Sequence, residues 1–540
     1  MKGTPHSRRG RTTACAVAAA LLAGTASAAV PAAHAVPAPS AVHAPAAAPH
    51  SPATSRVAAD GLPTELRFVD IPGHAGVRLA ANVVAPRDDG RRHPAIVLPT
   101  SWAMPQVEYL AQARQLAAQG YVVVSYNVRG FWQSGGEIEV GGPADVADAS
   151  KVIDWTLEHT AADPARVGMA GISYGAGISL LASAFDDRVR AVAAMSGWAD
   201  LVGSLYSGRT QHTQSTAVLT GLGHLTGRPS DETAAMMRAM LSGDLEHEAD
   251  LIAWGAERSA SSHVDRINAN GAAVMLANAW GDSIFPPNQY ADFYEKLTGP
   301  KRLELRPGDH ATAEATGLLG LPNDVWTNTR RWFDHHLRGV ANGIDAEPPV
   351  RLKPRSDAAY EGYTDWAAVP ARTERLVFDD PERIWPNAGS GANGGVAMLS
   401  STLDQFLQLP PTASVPLLPR TRAAVWQTGR YQAGQRIRGT VTLTTTVTSN
   451  RSSGTAIAHL YDVGPLGIGK LITHAPATFH DRTPGEPFTL DAELFSTAYD
   501  LPAGHRLALV IDGADLLYTD HNSAFQEVEF TDTRLTVPLR

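Results

Sequence analysis

One five-residue stretch, Gly171-Ile172-Ser173-Tyr174-Gly175, constrains this chain more than any other. A G-x-S-x-G pattern marks a sharp turn from a buried strand into a helix, with the serine held out at the apex. The flanks agree. Arg166-Val167-Gly168-Met169-Ala170 is a short run suited to a buried strand, and residues 176–182 are small and apolar, as in a helix packed under a sheet. Glycines are needed because the serine's backbone is strained and neighbouring side chains would clash. The pattern also arises by chance, so the strand before it and the helix after it are what give it meaning.

Residues 61–344 alternate strands and helices, the mark of a mostly parallel sheet covered on both faces. Residues 66–71 and 77–84 read as an opening hairpin around Pro72-Gly73-His74-Ala75-Gly76. Further strands fall at 94–99, 121–126, 189–195, 272–277 and 301–305, and helices at 106–118, 144–159 and 287–297. The stretch from about 200 to 270 breaks this rhythm with helix-like pieces such as 232–241. It reads as a helical cap over the site, or else as a packing subdomain away from it. Residues 345–420, rich in Pro and Gly, read as an irregular connection. From 421 to 540 the pattern changes. Val441, Leu443 and Val447 alternate with threonines, and 456–463, 506–511, 525–530 and 534–537 look similar. The expected class is therefore α/β: an α/β-hydrolase fold with a helical cap, plus a C-terminal all-β sandwich of jelly-roll type.

A serine hydroxyl is a poor nucleophile at neutral pH. It needs a base, and the base needs an acid to fix its tautomer. In this fold they follow in the order Ser, Asp, His, each on a loop beyond a strand. Asp282, in Trp280-Gly281-Asp282, and His310, in Pro307-Gly308-Asp309-His310, fit that order around Ser173. Asp309 is an alternative acid, although a triad acid normally sits on a separate loop. The other histidines, among 19, include His212, His224 and His247 in the cap, and His335 and His336 beside Trp332 and Phe333. An oxyanion needs two donors. The backbone N–H of Tyr174 is one. The loop Thr100-Ser101-Trp102-Ala103-Met104 supplies the other from Trp102 or Ser101, unless Trp102 is simply a pocket wall.

The first 35 residues read as a signal peptide. Lys2, Arg8, Arg9 and Arg11 precede a short apolar stretch, and Ala26-Ser27-Ala28 and Ala33-His34-Ala35 are both acceptable cleavage sites. The Arg8-Arg9 pair also raises twin-arginine export. Residues 36–60, rich in Pro and Ala, read as a disordered linker. The single cysteine, Cys15, lies inside the signal, so a secreted product has no disulfide and no cysteine chemistry. Cleavage removes four basic residues and no acid, taking the net charge from −9 to −13. That argues against nucleic acid as a partner. No later stretch is apolar enough to span a membrane. No metal or cofactor motif is present: H-E-x-x-H, Cys/His clusters, G-x-G-x-x-G after the first strand and a phosphate loop are all missing.

Together these residues resemble the X-prolyl dipeptidyl-peptidases and cocaine-esterase-like hydrolases. The likeness lies in Asn127-Val128-Arg129-Gly130-Phe131-Trp132-Gln133-Ser134-Gly135-Gly136, the segment 148–155, the Ser173 turn, Trp280-Gly281-Asp282 and Gly308-Asp309-His310. It continues in segment 331–339 and in 493–511 with Thr497-Ala498-Tyr499 and Ala503-Gly504-His505-Arg506. The resemblance implies a capped hydrolase domain whose pocket is closed on one side by the jelly roll, with Ser173, Asp282 and His310 as triad. It implies cleavage after an N-terminal X-Pro pair, or hydrolysis of esters and amides. The chain departs from the family at Asn127, where Asp is usual, and at Phe131 and Trp132, which replace smaller residues. Members that prefer a free α-amino group carry carboxylates just beyond the Asp, where this chain has Ser283-Ile284-Phe285. The cap acids Asp244, Glu246, Glu248 and Asp250 could supply that charge, or be a solvated face. The expectation is a secreted serine hydrolase working through an acyl-enzyme on a small peptide or ester. The first reading is an X-Pro dipeptidyl-peptidase-like enzyme, which the architecture favours; the alternative is a carboxylic ester hydrolase of cocaine-esterase type, which the missing carboxylates favour. An extracellular binding protein on a passive hydrolase scaffold is the remote alternative.

Overall fold

Runs of Val, Ile and Ala build the centre of the molecule. In the computed structural model, which describes residues 61–356 and 359–540, they form one ten-stranded sheet. Its strands are β1 Thr64–Pro72, β2 Arg78–Pro86, β3 His93–Pro99, β4 Val122–Tyr126, β5 Ala162–Ile172, β6 Val189–Met195, β7 Ala273–Ala279, β8 Lys301–Arg306, β9 Val350–Leu352 and β10 Glu361–Tyr363. They lie in the order β1-β2-β4-β3-β5-β6-β7-β8-β9-β10. From β4 to β9 neighbours run parallel, while β1, β2 and β10 join antiparallel at the edges. Every residue of β3, β4 and β7 is buried, as a sheet covered on both faces requires. Helices Leu110–Ala118 and Asp324–Arg338 pack on one face. Helices Pro143–His159, Tyr174–Phe185 and Asn288–Lys296 pack on the other.

The first of these helices begins at Leu110, four residues later than its apolar spacing suggests. Residues 106–109 are turns instead, because Glu108 swings its carboxylate onto Ser101. Between β6 and β7 the chain leaves the sheet for helices Leu201–Leu205, Thr213–Thr226, Asp231–Ser242, Glu248–Glu257 and Val264–Asn270. This is the insertion expected at 200–270. Trp102, from the loop after β3, binds it through an indole N–H donated to Leu219 O at 2.9 Å.

Residues 345–420 are more than an irregular connection. They contribute β9 and β10, the helix Ser400–Leu407, and the strands Arg372–Phe378 and Glu382–Ile384, which pair with Val528–Leu539. Strands of three residues such as Val350–Leu352 are too short to show alternation in sequence. Together with Arg372–Phe378, Glu382–Ile384 and Thr412–Ser414, the remaining chain forms a seven-stranded and a five-stranded antiparallel sheet packed as a β-sandwich. The two strands expected at 525–530 and 534–537 are one strand, Val528–Leu539. A bulge at Asp532 (φ 49°) interrupts its alternation, with the register shifting opposite Thr444 and Thr446. The signal peptide and linker expected at 1–60 lie outside the described residues. Among the described residues no helix is long and apolar enough to cross a membrane.

Candidate active site

β5 ends at Ile172 and the helix Tyr174–Phe185 starts two residues on, so Ser173 alone makes the turn. Its backbone has φ 57° and ψ −117°, a conformation costing a non-glycine residue about 1–3 kcal/mol. The surroundings enforce it. The Ser173 N–H bonds Met195 O at 2.9 Å, and the Ile172 N–H bonds the Tyr109 hydroxyl at 3.0 Å. A Cβ on Gly171 would lie 2.4 Å from the Gly175 carbonyl carbon, and one on Gly175 only 2.1 Å from Pro99 O. The second glycine thus lets the helix end approach the loop after β3.

The expected three residues meet. Ser173 Oγ lies 2.9 Å from His310 Nε2, and His310 Nδ1 lies 3.0 Å from Asp282 Oδ2. All three are buried. The residues after Asp282 fold back on it. Ile284 and Phe285 donate their N–H groups to Asp282 Oδ1 at 3.0 and 2.8 Å. That fixes the carboxylate, which places the proton on Nδ1 and leaves Nε2 to accept from Ser173. Burial disfavours a charged His310, but the Asp282 charge and hydrogen bond outweigh it, so its pKa is raised. Asp309 does not touch the imidazole. Its Oδ1 accepts from the N–H of Ser283 and of His310. Among the other histidines, His212 packs 5.0 Å from Tyr518 and is pushed down to about 3 by burial. His336 stacks edge-on against Trp332.

The loop after β3 narrows the oxyanion donors. Ser101 is committed: its N–H goes to Glu108 Oε2 at 2.8 Å and its hydroxyl to Glu108 and Ile172 O. The Trp102 indole is committed to Leu219 O. The backbone N–H groups of Trp102 and Tyr174 have no acceptor among the described residues. Large aromatics brace this loop. Trp102 meets Phe131 and Tyr174 edge-on at 4.9 and 5.1 Å, and the Trp132 indole donates to Ala103 O at 2.9 Å. Phe131 and Trp132, the bulky departures in sequence, are thus loop supports.

Two supports escaped the sequence reading. The Tyr174 hydroxyl donates to Asp145 Oδ2 at 2.9 Å, and the Gly141 N–H donates to the same atom at 2.9 Å. Asp148, on the same helix, receives Arg129 at 2.7 and 3.0 Å. The available signal was two acids on the apolar face of an amphipathic helix. Glu108, half-buried in the turn before the helix Leu110–Ala118, holds Ser101; desolvation raises its pKa to about 7.

A cavity of about 70 Å³ opens at Ser173, walled by Trp102, Trp198, Met237, Trp254 and Phe285 among others. Its wall is mainly apolar and no charged side chain lines it; Thr216, Thr220 and the Trp254 indole are among the neutral polar groups set into it beside Ser173. The cap acids lie elsewhere: Glu248 is bound by Tyr206, Arg209 and His480, and Asp244 by His247. Among the described residues no cluster of three or more His, Cys, Asp or Glu is placed to hold a metal.

Residues 75–312 match the family model of the X-Pro dipeptidyl-peptidase (S15 family), and residues 342–535 that of the X-Pro dipeptidyl-peptidase C-terminal non-catalytic domain. The chain is 22% identical over 532 residues to a cocaine esterase of Rhodococcus sp., covering 84% of this chain and 92% of that protein. It is 21% identical over 514 residues to a Xaa-Pro dipeptidyl-peptidase of Lacticaseibacillus casei, covering 78% and 62%. A solved α-amino acid ester hydrolase shares the fold, with a TM-score of 0.67 at 16% identity over 90% of this chain and 98% of that one. The chain therefore belongs to the X-Pro dipeptidyl-peptidase and cocaine-esterase-like α/β-hydrolases, as a serine hydrolase of dipeptidyl-peptidase or esterase type.

Proposed function

We propose that Ser173, His310 and Asp282 are the triad of a carboxylic ester hydrolase acting through an acyl-enzyme, with an uncharged apolar acyl group as its substrate's recognised part. His310 Nε2 takes the Ser173 proton as Oγ attacks the carbonyl carbon. The backbone N–H groups of Tyr174 and Trp102 receive the oxyanion. His310 then gives the proton to the leaving oxygen, and a water repeats the cycle on the acyl-enzyme. The observation that carries the substrate reading is the mainly apolar, uncharged wall of the Ser173 cavity. Placing an ammonium there would require an anionic partner that the wall lacks.

The second reading, an X-Pro dipeptidyl-peptidase, is favoured by the family models that match both domains. Paired turnover of p-nitrophenyl butyrate and Ala-Pro-p-nitroanilide separates them. Ester turnover without anilide release is the expected result; fast anilide release would replace the first reading by the second. Ser173→Ala should lower either rate by roughly 10⁴–10⁶-fold, and a variant that kept its turnover would sink both. Export is part of the proposal, supported by the basic and apolar pattern of residues 1–35. The N-terminal sequence of protein recovered from culture medium tests it.

A further inference from the structure

We propose that Asp309 is a positioning residue, a clamp that locks the His310 loop to the loop after Asp282 and biases the imidazole by its charge. The proposal rests on the triad reading above. One carboxylate oxygen does the joining. Asp309 Oδ1 accepts the Ser283 N–H at 3.0 Å, the Ser283 hydroxyl at 2.8 Å and the His310 N–H at 2.8 Å. Ser283 Oγ in turn accepts the Met398 N–H at 2.8 Å. The clamp therefore links three separate segments: the acid loop, the base loop and the connection to the sandwich. Thr312 fixes the other end, accepting the Asp309 N–H at 2.9 Å. The side chain is buried, and its Oδ2 has no partner among the described residues.

Asp309 lines a second cavity, of about 80 Å³, distinct from the one at Ser173. The titratable groups around it are Asp282, His212, His474, Tyr518 and the Arg355–Asp404 pair. Burial pushes His212 to about 3 and His474 to about 4, so both are neutral where a histidine base works. On the other side of His310, Glu314 is tied to Ser196 and faces Arg306. Burial, then the Asp282 charge, raises Asp309 to about 6. Where it is ionised, its charge helps the larger Asp282 contribution to hold the His310 pKa up.

The test is the pH profile of kcat/KM in Asp309→Asn, which keeps the accepting oxygen and loses the charge. The acid limb, which reports deprotonation of His310, should move down by about one pH unit. Turnover on the plateau should stay within about threefold. Ser283→Ala is the complement: it cuts the hydroxyl link and keeps the charge. It should lower kcat about tenfold, with KM changed less and the acid limb in place; this arm stands if Asp309→Asn does not fold. An unmoved acid limb in a folded Asp309→Asn, or an unchanged kcat in Ser283→Ala, overturns the proposal. Fluorophosphonate labelling of the wild type at Ser173 separates the two failures. Without labelling the triad reading falls and takes the clamp with it; with labelling, a negative result counts against the clamp alone.

Discussion

At the scale of single residues, the site depends on where side chains are missing as much as on where they stand. Ser173 sits at positive φ because Gly175 lets the helix end come within contact of Pro99. Gly175→Ala would drive a methyl into the Pro99 carbonyl, and that carbonyl belongs to backbone, which cannot rotate aside. The displaced loop carries Trp102 and its N–H. We expect a loss of about 1–3 kcal/mol in stability and a fall in kcat of at least about a hundredfold, with KM less affected. Thermal melting and steady-state kinetics check both. Unchanged kcat would remove the loop after β3 from the oxyanion role. The serine, acid and base were legible because their order along the chain is set by topology. The proposed donor at Trp102 was only half legible. Sequence places the loop, but Ser101 drops out through its bonds to Glu108, which no local pattern reveals.

At the scale of elements, the helix Pro143–His159 shows how a scaffold piece serves the site without lining it. Its buried face carries Asp145 and Asp148 among alanines and valines. Asp145 receives the Tyr174 hydroxyl and the Gly141 N–H, so it anchors the residue whose backbone N–H is the proposed oxyanion donor. Asp145→Ala would strand the Tyr174 hydroxyl proton in a dry interior, at about 1–3 kcal/mol for the unsatisfied group, and leave the Gly141 N–H only the Tyr174 oxygen at 3.1 Å. It should lower the melting temperature and reduce kcat, whereas Asp148→Ala should lower stability alone. Equal kinetics for the two variants would show that Tyr174 needs no anchor. The elements themselves were largely readable, because buried parallel strands give continuous apolar runs and helices give their own period. What escaped was short or interrupted. β9 and β10 have three residues each, and the strand Val528–Leu539 hides its continuity behind the bulge at Asp532.

At the scale of the whole molecule, the hydrolase sheet and the sandwich are joined by ion pairs that sequence pattern does not encode. Glu361, on the outermost strand β10, receives Arg438 Nε at 3.0 Å and Nη2 at 2.9 Å, and also Arg436 and the Tyr363 hydroxyl. Arg438 is almost wholly buried and also holds Asp500 at 2.6 Å. Burial works against an ionised Glu361, but the hydrogen bonds from Arg438 and its neighbours win and bring its pKa down to about 2 from 4.5. A carboxylate depressed on folding contributes stability that is complete above its unfolded pKa. That contribution is lost as pH falls from about 4.5 toward about 2. Glu361→Gln should therefore destabilise the protein by on the order of 2–3 kcal/mol at pH 7. The gap should narrow steadily below pH 4.5 as the wild type loses the same charge. Denaturant unfolding of both proteins at pH 7 and pH 3 measures it. A gap that stays constant with pH would mean that Glu361 joins the two domains by packing and neutral hydrogen bonds, with its charge contributing nothing.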